Sequence, residues 1–384
     1  MLLALAIALT AANLRPALAS VGPVLDDLSA DLLLDSTSAA LLTTLPVLCL
    51  GVLAPAAPRL ARRLGLVGAL VFALVVLLAG LLVRVVAGSA TLFAGSVAAA
   101  GAIAVANVLV PALIKQEFPR RTGTMMGIYT MCLSGFAGVA AGTTVPMGEL
   151  FGGGWRTGLG AWAVMAVLAL LAWVPILRGV RPEPAATPLG PARTLLRDPL
   201  AWQVTLFFGL QSLSFYAVLA WLPSIYRDAG FPAASAGLLL SVVAVVQTPV
   251  ALLIPRLAAR APDQRGQVLV AALFTAAGFL GVLLAPTAAP YLWVMLLGVG
   301  LGASFSLALL FTVLRAPSSA DTARLSAMAQ TIGYTIASTG PFVVGALHAS
   351  TQSWTAALVV LLLLLIPQVV TGLGAGRPTH IGRP

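Results

Sequence analysis

Long apolar runs recur along the whole chain, and short polar breaks separate them. A bilayer core needs roughly 20 apolar residues in a helix, and each run is long enough to supply them. The pattern therefore predicts twelve membrane-spanning helices, which we number as spans 1 to 12. Their predicted ranges are 1–28, 37–57, 66–87, 90–114, 122–149, 155–177, 199–226, 234–256, 266–286, 289–314, 322–348 and 353–374. A signal peptide is the alternative for the first run, but no basic residues precede it and the apolar pattern continues past a plausible cleavage point.

The spans fall into two groups of six. The break between them is rich in proline, alanine and arginine, which is typical of a linker. We predict an N-terminal six-helix bundle over 1–177, a cytoplasmic linker over 178–198 and a C-terminal six-helix bundle over 199–384. Short strings recur at a spacing of 197 residues, "TSAALL" with "ASAGLL" and "PRLARR" with "PRLAAR". Parallel repeats of this kind are typical of transporters, so the predicted fold is an all-α polytopic protein with two pseudo-symmetric bundles.

Composition and charge agree with a membrane protein. Hydrophobic residues make up 60% of the 384 residues and charged residues only 8%, which excludes an ordinary soluble domain. If the amino terminus is cytoplasmic, 17 of the 21 basic residues fall in cytoplasmic loops or the tail. This agrees with the enrichment of Lys and Arg in short cytoplasmic loops. We expect both termini to be cytoplasmic, and the net charge of +10 then needs no nucleic-acid partner. Arginine outnumbers lysine twenty to one, which favours a bacterial source and hence the bacterial cytoplasmic membrane.

Arg15 lies about halfway along span 1 and is followed directly by Pro16. On a helical wheel it shares its face with small residues, so it should point into the bundle or a wet cavity rather than into lipid. The acids outside the cytoplasmic loops all lie near outer ends, which predicts Arg15 as the one deeply placed ion of the chain. An anionic substrate could supply its countercharge through charge-assisted hydrogen bonds. The alternative is a structural arginine with a buried carboxylate partner. Pro16 and Pro23 are expected to loosen the helix here.

Four long motifs carry a resemblance to a known family. They are "NLRPALASVGPVLDDL" (13–28), "ANVLVPALIKQEFPRRTGTMMGIYT" (106–130), "GLQSLSFYAVLAWLPSIYRDAGF" (209–231) and "AMAQTIGYTIASTGP" (327–341). The chain resembles the cyanate and 2-nitroimidazole (CynX/NimT) transporter branch of the major facilitator superfamily. One departure is Pro55, which stands where the superfamily loop between spans 2 and 3 normally has an acidic residue. The resemblance implies a secondary transporter that works by alternating access and is not an enzyme.

Six neutral polar side chains join Arg15 as predicted substrate-binding residues, because the resemblance places them along the family's central cavity. They are Asn107, Tyr129, Gln211, Tyr216, Gln330 and Tyr334. Each of them alone is better explained as a hydrogen bond between helices, and the functional interpretation depends on their convergence with Arg15.

Two further sequence features receive structural interpretations. His348 lies near an outer end with no visible partner, so we leave it out of the site. The pairs Gly138 with Gly142 and Gly298 with Gly302 predict places where helices approach closely.

The predicted function is transport of a small anion or small polar organic compound, such as cyanate or a nitroimidazole. We expect a small-molecule substrate and the lipid bilayer as partners, with protons as the candidate coupling ion. We further expect a monomeric chain and neither cofactor, metal nor nucleic acid. An alternative is a drug or metabolite efflux carrier of the same fold, in which Arg15 is a structural or gating residue. A remoter alternative is a polytopic membrane enzyme or sensor, which would call for clustered His, Asp, Glu or Cys at one membrane face or for a soluble domain.

Overall fold

The computed structural model describes residues 2–86, 88–179 and 195–382, and the regular structure in these ranges is helical. Most of the predicted linker lies outside the described residues. Ten helices in the described part are long and apolar enough to cross a membrane: Leu2–Asp31, Ala56–Val83, Ser89–Glu117, Thr122–Leu150, Gly154–Leu177, Pro199–Asp228, Ala234–Ala258, Arg265–Leu284, Pro290–Leu314 and Trp354–Ala375. They correspond to spans 1, 3–10 and 12. Helices Ser36–Leu53 and Ser319–Thr351 occupy the positions of spans 2 and 11.

Contacts divide the chain into two compact units. Unit 1 comprises Met1–Pro119 and Ile128–Thr187, and unit 2 comprises Arg120–Gly127 and Pro188–Pro384. In unit 1, span 4 packs against spans 1, 2 and 3, which explains why most of its side chains are buried. In unit 2, span 7 has the same role, because it packs against spans 8, 10, 11 and 12.

Span 1 is not one continuous helix. Helix Leu2–Asn13 stops before Arg15, a short helix follows over Pro16–Ala19, and a 3₁₀ turn at Gly22–Val24 leads into helix Leu25–Asp31. Proline has no N–H to donate to the carbonyl four residues earlier, so Pro16 cannot continue the first helix without losing a hydrogen bond. Span 6 is also interrupted, between helices Gly154–Gly160 and Trp162–Gly179. Span 7, in contrast, is unbroken over Pro199–Asp228 although it contains Pro223.

Helix ends of unit 2 meet at one end of that unit. Arg315 follows span 10, and it donates from Nε to the Ala375 carbonyl (2.7 Å) at the end of span 12 and from Nη2 to Gln264 Oε1 ahead of span 9. Asp198 caps the start of span 7 and accepts from the Gly382 amide (2.6 Å). Burial lowers the pKa of the Arg315 guanidinium to about 10, which leaves it protonated at neutral pH.

The two glycine pairs behave differently. A Cβ at Gly298 would lie 2.9 Å from the Val243 carbonyl oxygen, and one at Gly302 would lie 2.8 Å from Gln247 Cγ, so both allow close packing on span 8. A Cβ at Gly138 or Gly142 would meet no described atom within 4 Å. The prediction of close helix packing is therefore wrong for the pair in span 5. Helical spacing of small residues gives a stripe, but which surface the stripe faces depends on tertiary packing.

Candidate functional site

Arg15 lies at the interruption of span 1. Its side chain is half-buried, and its carbonyl oxygen accepts from the Leu18 amide (3.0 Å) and the Ala19 amide (2.9 Å). Arg15 is thus the cap residue at the start of the short helix Pro16–Ala19, which packs against span 4. The sequence therefore places a guanidinium where the regular helical hydrogen bonding of this span is interrupted.

Asn107 and Tyr129 are brought together within unit 1. The Tyr129 hydroxyl donates to Asn107 Oδ1 (3.1 Å), and both side chains are buried, with 0% exposure for Tyr129 and 5% for Asn107. This hydrogen bond links spans 4 and 5, and it places two of the predicted polar side chains side by side.

Two other predicted residues, Gln330 and Tyr334, lie on span 11, which packs closely against span 7 in unit 2. Tyr334 stacks edge-to-face on Phe208 with ring centroids 5.3 Å apart, and Gly209 of span 7 lies against Gly333 of span 11. Gln330, one turn before Tyr334, donates to Ser326 Oγ (2.9 Å). The two helices approach closely because glycines stand at their crossing.

Gln211 and Tyr216 complete the predicted set on span 7. Gln211 is fully buried and donates to the Phe208 carbonyl (3.0 Å) and to Ser212 Oγ (2.6 Å). Its Oε1 has no hydrogen-bond partner among the described residues. Tyr216 is half-buried and contacts the neighbouring Phe215 ring at 5.4 Å. These side chains therefore make their hydrogen bonds and ring contacts within span 7.

Arg84 corrects the prediction that Arg15 is the one deeply placed ion. Its exposure is only 1%, whereas Arg15 is half-buried. Arg84 donates to the carbonyls of Ala17 (2.7 Å) and Leu159 (3.1 Å), and to Ser20 Oγ at 3.4 Å. Arg84 lies within the predicted range of span 3, 66–87. A guanidinium within an apolar run was the signal that could have identified it.

His348 also corrects a prediction, because it does have partners. Its ring stacks on Trp354 with centroids 3.7 Å apart, and its Nε2 lies 4.0 Å from Asp228 Oδ2. The Trp354 indole N–H donates to the same Asp228 oxygen (2.8 Å). The sequence could not show this cluster, because Asp228 and His348 are 120 residues apart.

Unit 1 has a similar cluster at the end of its first span. Asp31 accepts from the Trp155 indole N–H (3.2 Å) and from Arg156 Nη1 (2.7 Å). Asp31 and Asp228 are 197 residues apart, which is the spacing of the internal repeat. In both units an aspartate at the end of the first span therefore holds a tryptophan at the start of the last span.

Comparisons with known proteins agree with this architecture. The model of the Major Facilitator Superfamily matches residues 1–341. The solved structure of the proton:xylose symporter XylE bound to 6-bromo-6-deoxy-D-glucose superimposes with a TM-score of 0.78 at 13% sequence identity, covering 97% of this chain and 94% of that one. At this identity the likeness establishes the fold, which is the twelve-helix fold of the superfamily.

Two relatives are more similar in sequence. The 2-nitroimidazole transporter of Escherichia coli is 35% identical over 98% of this chain and 95% of its own length. The cyanate transport protein CynX of Escherichia coli is 33% identical over 90% of this chain and 89% of its own length. These relatives indicate a transporter with a small-molecule substrate, which is a class of protein distinct from enzymes. The chain is thus a multi-pass membrane protein that belongs to the major facilitator superfamily, in the branch of the cyanate and 2-nitroimidazole transporters.

Proposed function

We propose that this transporter carries a small anion or small polar organic compound by alternating access, and that Arg15 contacts the negative charge or polar group of the substrate. The observation that carries the proposal is the interruption of span 1 at Arg15. Irregular main chain at membrane depth is tolerated where it is enclosed by protein or lines a cavity, and interrupted helices mark binding sites in many carriers.

The chemistry of Arg15 supports an anionic or strongly polar substrate. A guanidinium is always charged at physiological pH and offers a planar fork of donors to carboxylate-like or nitro oxygen atoms. The two relatives are named for cyanate, which is an anion, and for 2-nitroimidazole, which is a polar heterocycle. Both compounds are small enough for one arginine and a few neutral polar side chains to recognise them.

The neutral members of the proposed site are Asn107, Tyr129, Gln211, Tyr216, Gln330 and Tyr334. Four of the six are less than 5% exposed, and buried polar groups of this kind fix orientation in otherwise apolar sites. Gln211 supports this role further, because its buried Oε1 has no hydrogen-bond partner among the described residues.

We infer that the protein lies in the bacterial cytoplasmic membrane with both termini inside and works as a monomer. The distribution of basic residues supports this orientation, because Lys and Arg accumulate in short cytoplasmic loops. The start of span 7 and the tail after span 12 meet through Asp198 and Gly382, as expected when an even number of spans separates them.

Uptake into liposomes tests the proposal. Purified protein should carry labelled cyanate or 2-nitroimidazole faster than empty vesicles allow. Arg15→Gln should weaken uptake at low substrate concentration about tenfold or more, because hydrogen bonds to charged groups contribute roughly 1.5–3 kcal/mol.

Arg315→Gln is the matched control, because it removes a buried guanidinium from unit 2. Normal substrate affinity in Arg315→Gln shows that loss of a buried charge is not itself the cause. Unchanged uptake by Arg15→Gln would remove Arg15 from the site and favour the carrier in which it is structural. No uptake of either compound by the wild-type protein would refute the proposed substrate class.

A further inference from the structure

Arg84 is a buried cation whose described partners are neutral. It follows span 3 directly, and its guanidinium reaches three acceptors: the Ala17 carbonyl, the Leu159 carbonyl and the Ser20 hydroxyl. Removing a guanidinium from water costs several kcal/mol, so burying such a residue rarely stabilises a protein. Its partners suggest a more specific role.

The acceptors of Arg84 lie where two helices are interrupted. In a continuous helix the Ala17 carbonyl would accept from the Val21 amide, but that amide points to the Leu18 carbonyl instead (3.5 Å). Leu159 is the penultimate residue of helix Gly154–Gly160, where span 6 breaks. A carbonyl that loses its helical hydrogen bond inside a membrane protein needs another donor. Arg84 is such a donor at both interruptions, to the Ala17 carbonyl in span 1 and to the Leu159 carbonyl in span 6.

The main chain of Arg84 packs closely against span 4. A Cβ at Gly95 of span 4 would lie 2.5 Å from the Arg84 amide nitrogen and 2.6 Å from the Gly80 carbonyl oxygen. The main chains of spans 3 and 4 therefore touch at this point. Because the Pro16–Ala19 helix also packs on span 4, the end of span 3 and the short helix share one support.

We propose that Arg84 is a positioning residue for Arg15: its guanidinium fixes the short helix that begins at Arg15 and so sets the direction of the Arg15 side chain. Ala17 is two residues beyond Arg15, and the Arg15 carbonyl is bonded to the Leu18 and Ala19 amides, so this segment moves as one piece. The inference rests on the proposed role of Arg15 in substrate binding. Arginine suits the task because its fork reaches carbonyls on two different spans, whereas an ammonium is a single point charge.

The test compares Arg84→Lys with Arg315→Lys. Arg315 is the matched control, because it is also buried (4% exposed) and also donates to main-chain carbonyls, but it lies in unit 2. Two quantities are measured on folded protein: the Kd for cyanate and for 2-nitroimidazole, and the hydrogen-exchange rates of the Ala17–Val21 amides.

Arg84→Lys should raise the Kd about tenfold and speed exchange in this segment by a similar factor, because a charged hydrogen bond contributes at least about 1.4 kcal/mol. Arg315→Lys should leave the Kd and the exchange of this segment within about twofold, even where both variants lose similar thermal stability. Unchanged exchange in Arg84→Lys, or faster exchange with an unchanged Kd, would overturn the inference.

Two further variants keep the outcomes separate. Ser20→Ala removes one hydrogen-bond partner of Arg84, and the Kd and exchange rates are measured on it if Arg84→Lys does not fold. We expect changes of about twofold to threefold, because the lost hydrogen bond is weak at 3.4 Å. Arg15→Gln tests the proposed function alone. If Arg15→Gln binds both compounds like wild type, the proposed function fails and the positioning role falls with it. If Arg15→Gln loses binding while Arg84→Lys does not, only the positioning role is refuted.

Discussion

Spans 1 and 7 are the first spans of the two predicted six-helix bundles, and they accommodate polar residues within the membrane in different ways. Span 1 carries Arg15 and is interrupted immediately before Pro16. Span 7 carries the neutral Gln211 within its membrane-spanning part and remains one helix of 30 residues. The buried Gln211 side chain turns back onto its own helix, where it donates to the Phe208 carbonyl.

The difference indicates that the two spans have different roles. A neutral amide can be satisfied inside a continuous helix, whereas a half-buried guanidinium placed at a helix break can present its donors to a ligand. The outer ends of the two spans nevertheless share one plan, because Asp31 and Asp228 each hold a tryptophan of the last span in their unit. The two halves thus share the contact between aspartate and tryptophan at their outer ends, whereas Arg15 and the interruption beside it belong to the first half.

Replacing a proline by alanine should have the largest effect on substrate affinity, and the effect should differ between spans 1 and 7. Pro16→Ala restores an N–H that can bond to the Ala12 carbonyl, so span 1 can become continuous and turn Arg15 away from its present direction. We expect substrate affinity to fall about tenfold or more, since a misdirected charged hydrogen bond is lost. Pro223→Ala, inside a helix that already continues, should leave affinity within about twofold. Equal effects of the two variants on the Kd would show that the break in span 1 has no special role.

The two tryptophans test what the spans share. Trp155→Phe and Trp354→Phe each remove one indole N–H donated to an aspartate, so both should lower the free energy of unfolding by about 1 kcal/mol. Thermal unfolding in detergent measures the effect. Similar losses support a common frame at the outer ends, whereas a loss in only one variant would mean that the two clusters are alike only in geometry.

The smallest expected effect concerns the basic side chains at these two ends. Asp31 Oδ2 lies 2.7 Å from Arg156 Nη1, while Asp228 Oδ2 lies 4.0 Å from His348 Nε2, and all four side chains are partly exposed. Electrostatic attraction weakens with distance, so the pair of Asp31 should contribute slightly more to stability than the pair of Asp228.

Asp31→Asn should accordingly destabilise the protein slightly more than Asp228→Asn, and both losses should be less than about 1 kcal/mol because exposed pairs are weak. Unfolding curves of the two variants provide the measurement. A larger loss in Asp228→Asn than in Asp31→Asn would show that the distance to the basic side chain does not set the contribution of these aspartates.

Much of the fold could be predicted from the apolar pattern, because membrane spans are long and their composition is strongly constrained. The interruption at Pro16 was also foreseeable, since proline removes a helical hydrogen bond at a known position. The break in span 6 was not foreseeable, because the strings around Gly160 differ little from other glycine-containing stretches that remain helical.

The site was less predictable, because its members depend on contacts between distant segments. Asn107 and Tyr129 were selected separately and turned out to be hydrogen-bonded to each other. Arg84 was missed because its partners, Ala17 and Leu159, contribute main-chain carbonyls, which any residue type has. A pattern of side chains therefore cannot predict these hydrogen bonds. They become understandable only when the interruptions of spans 1 and 6 are known.

Whether Arg15 contacts the substrate is tested most directly by the Kd for cyanate of wild type, Arg15→Gln and Gln211→Ala, measured on folded protein. Arg15→Gln should weaken binding about tenfold or more, because the substrate loses its charge-assisted hydrogen bond. Gln211→Ala removes a neutral partner and should weaken binding by no more than about fivefold. A cyanate Kd that is the same in Arg15→Gln as in wild type would show that Arg15 does not contact the substrate.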